Sequence, residues 1–311
     1  QGLQNELERV VKIYGGHALA LVLLGHLLTD FFGGDVNQHV QLPALLKSPH
    51  SKARANVHHV ERLMTFYSEY WGDDAPERCF LSLLGLLNRP MDEAEKESLI
   101  ENAEIARPLA ALSAMDWHGI LNNLQEMGLL LEKDKNSYDT HPLIRSYFGE
   151  QFQNQNPSEW KQAHLVLFEY FQRVPKKLQP DTLEELEPLY RAVEHGCLAG
   201  EYKKTMEDVY RDRIKRGNEH YSTQKLGAYA QDLTAIAAFF PQGWEKPVSK
   251  ALSEMDQGVL LAVASFCLMA LGRLAEAVQP RRATLKLFEK LKNWGNAANT
   301  AETLVDLLLP L

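Results

Sequence analysis

A chain of 311 residues, 45% hydrophobic and 24% charged, has room for two domains or one long repeat array. Its 33 Lys and Arg against 41 Asp and Glu give a formal charge of -8, so the overall field repels nucleic acid and only a local basic patch could bind it. Cys79, Cys197 and Cys267 are far apart with no CxxC pair, which argues against a disulfide framework and for buried, reduced thiols in a cytoplasmic protein.

The chain opens in an amphipathic helical pattern, Leu3, Leu7, Val10, Val11 and Tyr14. Gly15-Gly16 breaks it, and "HALALVLLGHLL" follows. That run is too short to span a membrane and carries His17 and His26, so it reads as a core helix. After Gly33-Gly34, Asp35 is placed to cap a shorter helix, "DVNQHVQLPALLKS". Residues 1–50 are therefore expected to form a small helical bundle, with "KSPHSK" as a linker. No signal peptide is evident, and both ends fall within helical patterns, as expected of a piece of a longer protein.

Residues 51–156 have a different organisation. Helices are expected through "VHHVERLMTFYSEYW", "APERCFLSLLGLL" with Pro76 in its first turn, "MDEAEKESLIENA", and "SAMDWHGILNNLQEMG" with Ser113 as cap and Gly128 as stop. Leu129–Glu132 and Ser137–Thr140 then read as a β-hairpin turning at "KDKN", and a helix starts at His141-Pro142. Helices followed by a hairpin predict a winged helix. The would-be recognition helix, Ser113 to Gly128, has no Lys or Arg, so protein packing is the stronger reading over DNA binding.

Residues 157–311 read as helices joined by small-residue turns. "EHGCLAGEYKKTMEDVY" carries Gly200, Tyr202 and Thr205; "SFCLMALGRLAEAVQPR" carries Gly272, Leu274 and Ala277. Both have glycine, a large residue two later and a small residue five later. Gly200 and Gly272 are 72 residues apart, about two periods of a tetratricopeptide-like repeat. The unit between them turns near Pro241 to Gly243 and is irregular, and "WGNAANTAETLVDLLLPL" begins a further one. The fold class expected is all-α: a helical bundle, a winged helix with one short hairpin, then an α-solenoid.

Three stretches, "LERVVKIYGGHALALVLLGHLL", "ERCFLSLLGLLNRPMD…LNNLQEMGLL" and "YDTHPLIRSYFGEQF", taken in order, resemble the middle and C-terminal part of STAND-class signalling ATPases, the group that includes NB-ARC and NACHT proteins. The resemblance implies that the first stretch is the helical domain after an ATPase core, that the next two bound the winged helix, and that the repeats are a sensor arm. It further implies that His141, in the position of the family's winged-helix histidine, reaches the β-phosphate of bound ADP. A histidine at a helix start, beside free backbone N–H groups, suits an anion. Gly16 and Ala18 fall in the family's glycine-x-proline-leucine-alanine-leucine run, with Ala18 where proline packs near adenine. That departure removes the proline side of the adenine contact.

No GxxxxGK[ST] phosphate loop occurs, nor a strand followed by paired acids for magnesium, so ATP or ADP would bind only together with an upstream P-loop domain. No catalytic residue and no metal ligand is assigned. His50, His58 and His59 lack zinc-type partners, "DEAEKESLIENAE" reads as a solvated face, and the basic "YRDRIKRGNEHY" as a surface for an acidic partner or simply an exposed face. The partners implied are a protein ligand on the repeats, the upstream ATPase domain, and further copies on activation. Bacterial proteins of this architecture suggest antiphage defence or another signalling role. Two rivals stand beside this reading: a helical-repeat scaffold with no nucleotide role, and the regulatory part of a transcription activator.

Overall fold

The computed structural model describes residues 2–40, 55–102, 104–131, 137–244 and 251–309. Among these residues the regular structure is helical apart from one two-stranded antiparallel sheet. The chain divides into two compact units, Gln1–Trp160 and Lys161–Leu311. Among the described residues, no helix is long and apolar enough to cross a membrane.

The first unit opens with α1 (Gly2–Ile13) and α2 (Ala18–Phe32), separated by Gly15 and Gly16, both in left-handed backbone. Ala20, Leu23, Leu24, Leu27 and Leu28 form the buried stripe of α2. Asp35 caps only a 3-10 turn, Val36–Val40; the rest of the helix expected there lies outside the described residues.

Next come α3 (Ala55–Trp71), α4 (Pro76–Leu84), strand β1 (Met91–Asp92), α5 (Glu93–Ile100), α6 (Ala114–Glu126), strand β2 (Ser137–Tyr138) and α7 (Pro142–Gln155). Ser113 caps α6 through a reciprocal bond with Asp116, and Gly128, at φ +68°, ends the turn after it. The α4–α7 crossing is the tightest in this unit for which glycine is required. A methyl on Gly149 would sit 2.7 Å from the carbonyl oxygen of Gly85, and one on Gly85 would sit 2.5 Å from Gly149 Cα.

The sheet differs from the expected hairpin. Ser137 and Tyr138 pair with Asp92 and Met91, residues read as the start of a helix, while among the described residues of the other expected arm Leu131 makes one bridge, to Asp139. The turn "KDKN" lies outside the described residues. The partner strand is 45 residues away in sequence, beyond the reach of any local pattern.

The acidic run is also not simply a solvated face. Glu95 is buried, accepts from both terminal nitrogens of Arg89, and completes a capping box with Asp92. Lys96 is buried too, with its ammonium 4.9 Å from the Trp117 ring and 5.0 Å from that of Tyr138. Cation–π attraction and the adjacent Glu93 offset its lost hydration.

The second unit is a succession of stacked helices. It starts along α8 (Pro157–Arg173) and continues through α9 (Leu183–Ala199), a π-helix (Thr205–Lys215), α10 (Tyr229–Ala237), α11 (Glu254–Ala270), α12 (Leu274–Lys290) and α13 (Trp294–Leu308). Each from α9 onward packs on a sequence neighbour: α9 on the π-helix, α10 on α11, α11 on α12, α12 on α13.

Both repeat signatures have the expected physical basis. Gly200 and Gly272 are left-handed at φ +88° and +74°. Thr205 and Ala277 are fully buried, and a methyl on Gly196 would collide with the Thr205 hydroxyl. The second arm of the first hairpin is a π-helix, which the spacing gave no reason to expect.

Cys197 and Cys267 are buried and Cys79 is partly so; all three are free. Burial pushes the thiols of Cys79 and Cys267 up to about 12, so neither is a nucleophile at neutral pH.

His164 of α8 and His195 of α9 are both buried, hydrogen-bond through their Nδ1 atoms at 2.8 Å and stack on each other, and His195 also stacks on Phe171. Burial lowers the His164 pKa from 6.5 to about 3. Below 6.5 the unfolded chain gains a proton that the folded chain refuses. Stability is therefore complete above that pH and falls as pH drops toward 3, by up to about 1.4 kcal/mol per unit. Urea midpoints measured from about pH 7 to pH 5 should show this slope, and His164→Gln should flatten it.

Candidate functional site

His141 is the N-cap of α7. Its Nδ1 accepts the Leu143 N–H at 3.2 Å, and its carbonyl accepts the N–H groups of Ile144 and Arg145. Pro142 at the first helical position has no N–H to satisfy and fixes the entry angle. The approach to His141 is locked. Thr140, buried, donates through Oγ1 to the Leu129 carbonyl at 2.6 Å, and Asp139 is ion-paired with Arg145 of the same helix. The imidazole thus projects from a fixed point.

His17 does the same at α2, where its Nδ1 accepts the Ala20 N–H at 3.3 Å. Gly15 and Gly16, at φ +61° and +67°, make the reversal that delivers it. Ala18 is the exposed first residue of the helix, a position that tolerates proline equally well. Gly16 and Ala18 therefore flank His17 and contribute backbone only.

Packing brings α2 to the segment that carries His141. Seen from Gly128, a methyl would lie 3.1 Å from the His26 ring and 3.5 Å from Val22, so α2 lies against the turn that leads to Leu129. Leu129 in turn holds Thr140, the residue before His141. His17 is little more than one helical turn before Val22. Electrostatics agree: burial first, and then the His17 imidazole, hold His141 below the usual histidine pKa, so it is neutral at pH 7.

In both histidines the backbone N–H occupies Nδ1, so the hydrogen-bond pattern assigns the proton to Nε2. Each ring presents one N–H donor, and each stands at the positive end of a helix of 15 or 14 residues. Two such donors, backed by helix dipoles, suit an anion held by hydrogen bonds. His141 is marked in the sequence by the proline after it, whereas His17, followed by Ala18, carries no such mark.

A recess of about 540 Å³ lies elsewhere in this unit, between α4 and α7. It sets Arg78 and Arg107 among Asp73, Glu104 and Glu159, and its one thiol, Cys79, is inert. His59 packs on Tyr14 at 4.9 Å between ring centres; His50 and the His58 side chain lie outside the described residues.

No protein-family model matches the chain. No curated protein matches it. A solved structure, the signal transduction ATPase with numerous domains (STAND) protein with a tetratricopeptide repeat sensor from Pyrococcus horikoshii, is similar over 98% of this chain at 15% identity and a TM-score of 0.36. The chain spans 42% of that protein's length.

Proposed function

We propose that this chain is the regulatory and ligand-sensing portion of a STAND-type ADP/ATP switch. The observation that carries the reading is the two-histidine arrangement at the starts of α2 and α7. His141 donates from Nε2 to the β-phosphate of ADP held on an upstream P-loop domain, and His17 donates beside it. Gly16 permits the close backbone approach, and Ala18 leaves the adenine side open. ADP thereby holds the helical and winged-helix segments against the ATPase domain. A protein ligand on the repeats favours the open form, by no more than its preference for that form. ATP exchange and self-association follow, with defence against phage as one output. The sequence resemblance around the three quoted stretches and the cap geometry of both histidines support this reading.

The test uses the protein expressed with its ATPase module. After denaturation, the released small molecules are resolved by anion exchange. The parent should release stoichiometric ADP. His141→Asn and His17→Asn keep a good N-cap but lose the Nε2 donor, so they should fold normally and release far less. Absence of nucleotide from the parent would sink the proposal and leave a repeat scaffold.

A further inference from the structure

Arg281 occupies the inward stripe of α12, between Ala277, Pro280, Thr284 and Phe288, and is 9% exposed. A buried guanidinium is costly unless a carboxylate or a set of carbonyls receives it. Other arginines of this unit obey that rule. Arg211 pairs with Asp256, and Arg213 donates to the carbonyls of Leu178 and Gln172. Arg281 does not. Its Nε has no partner, and its Nη2 meets only the Met269 sulfur, at 3.9 Å.

Met269 connects this cation to the surface. It lies on the same stripe of α11 as Ala262 and Phe266, and Phe266 is 41% exposed with its ring edge-on to Tyr229 at 5.9 Å. A thioether is unbranched and repacks easily, so it can yield to an incoming group. The rest of α12 and its turn is also basic. From 281 to 292, Arg281, Arg282, Lys286, Lys290 and Lys292 stand against Glu289 alone, in a chain of charge -8.

We propose that Tyr229, Phe266, Met269 and Arg281 form a docking face for a protein segment with an aspartate or glutamate beside an apolar side chain. The carboxylate enters where Met269 sits and pairs with the Arg281 guanidinium, and the apolar side chain lies on Phe266. The free chain has already given up most of the arginine's hydration, so once Met269 yields the incoming carboxylate meets a guanidinium that has little hydration left to lose. A nucleic-acid backbone fits less well, because the exposed side chain on this stripe, Phe266, is apolar and a chain of charge -8 repels a polyanion. The proposal deepens the sensing role given to the repeats and rests on that part of the reading alone.

A random dodecapeptide library displayed on phage would be panned on the 311-residue chain, with Arg281→Met protein in solution as competitor. Selected peptides would be synthesised and their affinities measured, beside a single-stranded oligonucleotide. The expected outcome is a shared Asp or Glu next to Leu or Phe. Binding should drop at least about tenfold with Arg281→Met or with Glu→Gln in the peptide, and less with Arg281→Lys. Without peptide, Arg281→Met should melt at a higher temperature than the parent, since it removes an uncompensated buried charge. Peptides with no acidic position, equal binding by Arg281→Met, binding of the oligonucleotide instead, or a lower melting temperature for Arg281→Met would each overturn the proposal. None of these measurements involves nucleotide, so ADP release and peptide docking can fail separately.

Discussion

Asp232→Ala is expected to cost about 3 kcal/mol or more of stability in the second unit, while Asp232→Asn costs much less. Asp232 is fully buried and accepts three hydroxyls: Tyr190 at 2.5 Å, Ser222 at 2.8 Å and Tyr210 at 3.1 Å. These donors come from α9, from the turn before α10 and from the π-helix, so one carboxylate ties three elements together. Desolvation raises its pKa, and the three hydroxyls and Lys215 oppose that rise. Alanine would strand the buried hydroxyls of Ser222 and Tyr210 and remove the partner of the partly buried Tyr190 hydroxyl. Asparagine keeps one acceptor oxygen, and its amide can donate to a hydroxyl that rotates. Urea unfolding of both variants measures the contrast. Equal losses for the two would show that shape, rather than hydrogen bonding, holds this centre.

Gly149→Ala is expected to destabilise the first unit by about 3 kcal/mol, against the usual preference of a helix for alanine. In the interior of an exposed helix that replacement stabilises by roughly 1 kcal/mol. Here the added methyl meets the Gly85 carbonyl at 2.7 Å, and backbone cannot swing aside as a long side chain does. Helices α4 and α7 would have to part, loosening Phe80, Leu84, Phe148 and Phe152 together. Gly85→Ala acts on the same contact, so the double variant should cost less than the sum of the singles. A stabilised Gly149→Ala protein would mean that the crossing is more open than described.

What the sequence disclosed was mostly local. Ser113, Pro142, Gly128, Gly200 and Gly272 each act through their own backbone or the next few residues, so residue type alone placed them. What it hid was set by residues distant in sequence. Glu95 and Lys96 look solvated until Arg89, Trp117 and Tyr138 are folded around them. The partner of β2 could not be read because a two-residue strand has no pattern of its own. His141 was legible from its proline, whereas His17 became visible only once α2 was seen against the Gly128 turn. The buried Arg281 was hidden for the opposite reason, since a cation in a helix is by default placed outside.

The π-helix at 205–215 stands at the head of the irregular stretch between the two repeat signatures. A backbone bonded from i to i+5 is wider and makes fewer turns over the same number of residues than an α-helix, so side chains beyond it emerge at rotated angles. It behaves like a dislocation in a crystal row, a phase slip after which α10 to α13 stack regularly, each on the next. Side chains after Lys215 therefore leave the helix rotated from an α-helical path, within the unit that separates the Gly200 turn from the Gly272 turn.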